Sequence, residues 1–444
     1  MNTQRTIDVQ SFINAHKVSA MQIVTLLLCF FIVAVDGFDT AAIGFIAPAI
    51  RGEWGLTAAH LAPVFGAGLA GLMAGAFLFG PLADRFGRKT ILMVCVGFFG
   101  LTCLASAYST SLGMLVALRF LTGLGLGGAM PNSVTLSSEY APEKHRSVLV
   151  TTMFCGFTLG SALGGLVAAH IVASFGWRAV LVIGGAMPLV LVPVLAMTLP
   201  ESVRYLVMKG RKPEQVRRTL QRIAPSEDLS AVIFAIPEKA LPGFPVKHLF
   251  DRNLRRGTLL LWLAFFMSLL VIYLLSSWLP TLISSTGMTL KKASLVTAMF
   301  QVGGTVGAIG LGQLMDRFNP QRVLGVTYAL AAVLTALIGS STGSTPILVL
   351  AVFGAGFCIS GAQVGANALA AAFYPTATRA TGVSWASGVG RIGSVLGSMT
   401  GGWMLALGWS LPMVFAIVGV PAVIAGVSML SMGRVGRLQT VTAH

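Results

Sequence analysis

Two aspartates three residues apart, Asp36 and Asp39, stand in Val33-Ala34-Val35-Asp36-Gly37-Phe38-Asp39-Thr40, inside an apolar run from Met21 to Phe45. A bilayer core is crossed by about 20 apolar residues, so this run is long enough to span one. An acid near the middle of such a helix costs roughly 2.5–3.5 kcal/mol on insertion scales. Spacing i, i+3 sets both carboxylates on one face, a turn apart. That face must line a cavity or meet cations. A structural ion pair between spans is one reading. A proton or ion site in a transport path is the stronger one, because intramembrane acids are functional by default.

Two arginines, Arg119 and Arg391, also lie inside apolar runs. At about 1.5 Å per residue, Asp36 lies about 22 Å from the cytoplasmic start of its span, past the midplane, and Arg119 about 12 Å from the outer face. In a core about 30 Å thick these depths are compatible, so Arg119 is expected to face Asp36 or Asp39. The competing reading is that Arg119 only braces helices. Arg391 falls about 16 Å deep, near mid-bilayer. No acid lies in the apolar interior of its half of the chain, so it has no obvious partner there. A guanidinium stays charged and can hold a carboxylate through two hydrogen bonds. Its expected partner is therefore a substrate carboxylate, or else an acid across a cavity.

The elements that must position these groups follow from composition. Of 444 residues, 55% are hydrophobic and 10% charged, with mean hydropathy +0.83. Soluble domains carry about 25% charged residues, so the chain is a polytopic all-α membrane protein. Twelve spans are expected at about 21–45, 57–81, 90–108, 112–137, 148–173, 178–199, 257–282, 290–314, 321–340, 345–373, 380–405 and 409–432. The net charge of +16 does not point to nucleic acid. Most Lys and Arg crowd between Arg204 and Arg256 or fall in alternate connections, while only Arg51, Arg178, Lys291 and Lys292 occupy the others. By the positive-inside rule both termini and the central loop are then cytoplasmic. The expected plan is a cytoplasmic segment 1–20, a six-helix lobe 21–199, a cytoplasmic loop 200–256, a second six-helix lobe 257–432 and a tail 433–444. Within the loop, residues 213–220 read as a basic amphipathic helix on the membrane surface. The prolines 237, 242 and 245 make the stretch after it irregular. The first 20 residues are polar and lack a cleavage site, so the first span is expected to direct insertion. Five cysteines, all in apolar segments, read as small hydrophobes and not as disulfides or metal ligands.

An internal repeat supports two lobes. Gly80-Pro81-Leu82-Ala83-Asp84-Arg85-Phe86 follows the second span and Gly312-Gln313-Leu314-Met315-Asp316-Arg317-Phe318 the eighth. Glu139-Tyr140-Ala141-Pro142 with Arg146 is answered by Tyr374-Pro375 with Arg379. Parallel halves of this kind place a substrate site at the midplane between them. Gly80 to Lys89 resembles the loop signature of the major facilitator superfamily. Arg119-Phe120-Leu121-Thr122-Gly123-Leu124-Gly125 resembles its fourth-span motif, and Pro200-Glu201-Ser202 the end of its sixth span. Asp36-Gly37-Phe38-Asp39 is similar to the first-span motif of one branch, the bacterial aromatic acid:proton symporters. Asp8 to Asn14 and Tyr374 to Trp385 resemble the hydroxybenzoate and protocatechuate transporters of that branch.

The resemblance implies proton-coupled uptake of a small aromatic carboxylate across a bacterial inner membrane, by a monomer that needs no cofactor beyond the proton gradient. Asp36, Asp39 and Arg119 would couple the proton. Arg391 would hold the carboxylate, with Phe38 and Trp385 as apolar walls and Gln363 and Asn367 for ring hydroxyls. Tyr273, Trp278, Phe353 and Trp403 are further wall candidates, each of which also reads as ordinary packing or an interface anchor. The family's cytoplasmic gate would comprise Gly80, letting helices approach closely, with Asp84, Arg88, Glu139, Arg146, Glu201 and Arg204, answered by Asp316, Arg317 and Arg379. Asp84 would sit against a helix N-terminus or an arginine in one conformation and release it in the other. For these charged groups the alternative is ordinary surface charge. An exporter is disfavoured because Gly160 is followed by Ser161, where antiporters of this superfamily often carry Gly-Pro. A sensor without flux is disfavoured because the central loop is too short for a signalling domain. No nucleophile–base or metal-ligand cluster points to an enzyme.

Overall fold

The computed structural model describes residues 5–210, 213–227, 229, 232–235, 245–251, 254–374 and 378–441, with the side chains of 5, 147, 245, 379, 380 and 434–441 outside that description. The apolar runs become long helices: α2 (Ala20–Trp54), α3 (Ala58–Phe86), α4 (Arg88–Ser106), α5 (Leu112–Tyr140) and α6 (Glu143–Thr198) come first, after a short β1 (Arg5–Asp8) and α1 (Val9–Ala15). Then follow α7 (Val203–Met208), α8 (Pro213–Gln221), β2 (Val232–Ala235), α9 (Arg255–Ser284), α10 (Leu290–Arg317), α11 (Pro320–Ser340), α12 (Thr345–Phe373), α13 (Arg379–Ala406) and α14 (Leu411–Val441). Among the described residues 10 helices are long and apolar enough to cross a membrane. One of them, α6, runs 56 residues and breaks at Gly176, whose φ of 76° is left-handed, so it supplies two spans. Helix α13 is 28 residues long but is more polar, since it carries Arg391 among glycines and serines. The twelve expected spans are thereby accounted for.

Packing divides the chain into two compact units. The first comprises Met1–Thr40, Ala70–Gly160 and Leu181–Ala240; the second comprises Ala41–Leu69, Ser161–Val180 and Leu241–His444. The division therefore cuts through α2, α3 and α6. In the first unit α2 and α6 approach backbone to backbone: a Cβ at Gly37 would overlap the Phe157 carbonyl, and one at Gly160 the Ala34 carbonyl. Small residues at such crossings replace hydrophobic driving force with close contact. In the second unit the Trp54 end of α2 and the start of α3 pack among the C-terminal helices. Phe65 meets Trp278 edge-on at 5.0 Å, and Trp278 donates its indole N–H to the Ser398 carbonyl at 2.6 Å.

The first unit also holds a small folded module that the sequence did not suggest. β1 pairs in parallel with β2, Arg5 opposite Val232 through Asp8 opposite Ala235. Asp8 caps α1 by accepting from the Ser11 N–H at 2.8 Å. Phe12 and Ile13 of α1 are buried in one cluster with Val203, Leu206, Val216, Leu220, Ile223 and Leu229. Helix α8 consequently turns its apolar face, Val216 and Leu220, into protein, which corrects the expectation of a helix lying on lipid. The hydrogen-bonded strands also place the N-terminal segment and the central connection on the same side of the membrane.

Candidate functional site

Helix α2 ends at Trp54, not near Phe45, so Asp36 and Asp39 lie on either side of the middle of a 35-residue helix. Both are fully buried. Arg119, on α5, donates Nη1 to Asp39 Oδ1 and Nη2 to Asp39 Oδ2, each at 3.0 Å. This is the bidentate geometry in which a guanidinium binds a carboxylate most strongly. Of the two acids, then, Arg119 takes Asp39. Cys103, on α4, points its thiol at the same Oδ1 at 3.0 Å. Asp36 accepts a hydrogen bond from Thr40 Oγ1 at 3.2 Å, one turn along its own helix. Two carboxylates a turn apart thus sit in different environments, one clamped by a cation and one beside a hydroxyl.

Arg391, on α13, donates from Nη1 to the hydroxyl of Tyr273 on α9 at 3.0 Å. This corrects the expectation that Arg391 has no partner in its own half: the Tyr273 hydroxyl orients its guanidinium. Trp385 is 45% exposed and stacks on Trp262 at 5.8 Å. Six residues before Arg391, it lies about 120° around the helix from it, so the two do not share a face. Gln363 and Asn367 do share one, at i, i+4 on α12, with Gln363 buried and Asn367 half-buried. Gln363 Oε1 is buried without a hydrogen-bond partner among the described residues. The ring of Phe38 lies against Gly184, filling the space beside α6. Trp278 is fully buried, whereas Trp403 is 55% exposed.

The loop motifs are only partly drawn together. Arg88 pairs with Asp84 at 2.7 Å and donates to Asn132 Oδ1 at 3.1 Å. Glu201 accepts from the backbone N–H of Lys89 at 3.0 Å and of Ser202 at 2.8 Å, and its carbonyl accepts from the Tyr140 hydroxyl at 2.6 Å. Ser202 Oγ donates to Glu139 Oε2. Arg146 is half-buried and its Nε has no hydrogen-bond partner among the described residues. Gly80 is corrected: a Cβ there would meet nothing within 4 Å, whereas Gly71 and Gly75, earlier on α3, are crowded against α5. Asp316 and Arg317 are exposed. Arg379 opens α13, and its side chain lies outside the described residues.

Sequence reasoning missed Cys103, Tyr273 as the partner of Arg391, and Asn132 as that of Arg88. Only Thr40, four residues after Asp36, was legible from spacing.

Comparison with known proteins places this arrangement. The model of the Major Facilitator Superfamily matches residues 29–338 and 261–439. The chain belongs to the Major Facilitator Superfamily. It is 51% identical to the 4-hydroxybenzoate transporter PcaK of Pseudomonas aeruginosa over 97% of this chain and 96% of that one. With the gallate transporter of Pseudomonas putida it shares 44% over 98% and 97%. Among solved structures, the xylose transporter XylE of E. coli, in a partially occluded inward-open conformation, superposes with TM-score 0.74 at 19% identity. That match covers 93% of this chain and 99% of that one, a likeness of fold.

Proposed function

We propose that this protein is a transporter, not an enzyme, that takes up an aromatic carboxylate of the hydroxybenzoate class together with a proton. The observation that carries the coupling is the pair of fully buried carboxylates at mid-helix, one held by Arg119 and one by Thr40. The substrate class is supported by relatives named as 4-hydroxybenzoate and gallate transporters at 51% and 44% identity. A carboxylate in an apolar interior resists ionising, while a neighbouring guanidinium favours its charge. An acid balanced between those effects loads a proton on one side and loses it on the other. Asp36 or Asp39 takes the proton from outside, and the substrate carboxylate binds Arg391, which Tyr273 orients. Gln363 and Asn367 meet ring hydroxyls, and Phe38 and Trp385 contribute apolar surface.

Two six-helix lobes, 21–199 and 257–432, then rock about this site in a bacterial inner membrane, with both termini cytoplasmic and one chain sufficient. Asp84, Arg88, Glu139 and Arg146, with Asp316 and Arg379, form the cytoplasmic gate, and the proton gradient takes the place of any cofactor. One proton moving with a monoanion transfers no net charge; a second would add about 2.3 kcal/mol of driving force per 100 mV.

Uptake of labelled 4-hydroxybenzoate into right-side-out vesicles with an imposed pH gradient, acid outside, tests the reading. Accumulation is expected and collapses with a protonophore; efflux under the same gradient would overturn it. Competition by benzoate, 3-hydroxybenzoate, protocatechuate, gentisate and vanillate then ranks the ring substituents.

A further inference from the structure

Two side chains, Arg119 from α5 and Cys103 from α4, converge on one buried carboxylate of α2. Asp39 Oδ1 receives Arg119 Nη1 at 3.0 Å and the Cys103 thiol at 3.0 Å, while Oδ2 receives Arg119 Nη2 at 3.0 Å. Cys103 is wholly buried. Its sulfur also lies 3.5 Å from the Leu181 carbonyl. A thiol carries one hydrogen that rotates about the Cβ–Sγ bond, and it is a weak donor. Here that hydrogen has two acceptors, a carboxylate oxygen on α2 and a backbone oxygen on α6.

We propose that Cys103 is a positioning residue of the proton site: it donates to ionised Asp39, and turns to the Leu181 carbonyl when Asp39 takes a proton. This rests on the coupling reading given above. Among the described residues, the charged and titratable groups facing Asp39 are Arg119 from α5, Cys103 from α4 and, a turn away on its own helix, Asp36. A hydrogen bond to the charged form favours that form, so the thiol supports the ionised carboxylate beside Arg119. Protonation needs no second acceptor to be created, because the Leu181 oxygen already stands within reach. The proton entering Asp39 comes from water on the open side and leaves to water on the other. Cys103 keeps its own hydrogen throughout, and Arg119 keeps its charge.

The test compares initial uptake of labelled 4-hydroxybenzoate by vesicles between pH 5.5 and 8, where the substrate carboxylate is ionised throughout. Cys103→Ala removes the donor, and its uptake profile should move towards higher pH by roughly half a unit to one unit, as befits one weak hydrogen bond to a charged group. Cys103→Ser restores a donor and should follow the wild-type profile or lie on its acid side. Cys103→Val, which fills the sulfur's volume without donating, should behave as the alanine variant and serves in its place if that variant does not accumulate. A donor-free variant with the wild-type profile, or serine and alanine variants displaced equally, overturns the inference. The neutral pair Asp39→Asn/Arg119→Gln separates it from its premise. If that double variant still concentrates substrate, Asp39 is not the coupling acid. If it does not, and the alanine and valine profiles are unmoved, the role of Cys103 falls alone.

Discussion

At the scale of single residues, the asymmetry between the members of the Asp39–Arg119 pair is the informative point. Both are buried in protein, with side-chain exposures of 4% and 0% for Arg119 and Asp39. Breaking a buried pair by removing one partner costs about 3–5 kcal/mol, because the other charge is left uncompensated. The two partners escape that cost differently. Asp39 without Arg119 can take up a proton, whereas Arg119 without Asp39 stays charged at any accessible pH. Asp39→Asn should therefore lower thermal stability in detergent more than Arg119→Gln does, and the double variant should recover part of the loss. Thermal unfolding of the three variants reads this directly; strictly additive losses would mean that the pair is not coupled. Spacing put Arg119 at a depth from which it reaches either acid. The choice of Asp39 is decided by the rotation of α5 against α2, which no local pattern encodes.

At the scale of elements, the small folded module joins two stretches far apart in sequence: β1 with α1, and the α7–α8 stretch with β2. Its polar latch is His16, whose Nδ1 bonds the Phe12 carbonyl at 2.7 Å and whose Nε2 meets Glu227 Oε1 at 2.9 Å. The Phe12 carbonyl, and after it Glu227, raise the pKa of His16 above its ordinary value of 6.5 against an opposing effect of burial. A raised folded-state pKa means that the latch stabilises the module fully below the unfolded value, and that this contribution is lost as pH rises through the folded one. Amide exchange of residues 5–16, corrected for intrinsic rate, should therefore be slower relative to the rest of the chain at pH 6 than at pH 8. In Glu227→Gln that difference should shrink; an unchanged difference would assign it to another group. Sequence analysis recognised the 213–220 helix by its charge and apolar spacing but assigned its apolar face to lipid. A short amphipathic helix needs only an apolar surface, and here Phe12 and Ile13 supply one. The four-residue strands were invisible for a related reason: a two-stranded pair is too short to be stable alone and exists because the module beneath it does.

At the scale of the whole molecule, the second unit draws the Trp54 end of α2 and the start of α3 in among α9 and α13. A Cβ at Gly402 would lie 3.1 Å from that of Ala62, and the sulfur of Met399 crowds Gly66. Disulfides span Cβ separations of about 3.5–4.5 Å, so a small adjustment admits one at this place. Ala62→Cys/Gly402→Cys should cross-link under mild oxidant and stop uptake, with activity returning on reduction. Full uptake by the cross-linked protein would show that this packing does not open during transport. The sequence by itself determined the membrane class, twelve spans and the family, because apolar runs, cation placement and the Gly80 and Gly312 repeats are local patterns read along the chain. It also exposed the residues that are costly in lipid, Asp36, Asp39, Arg119 and Arg391, since cost depends on residue type and depth alone. Only the tertiary structure decided which acid Arg119 holds, that Cys103 and Tyr273 attend the two arginines, and that Gly80 is uncrowded while Gly37 is not. Those outcomes depend on which faces of separate helices meet, and a thiol or phenol costs too little in an apolar run to announce its partner.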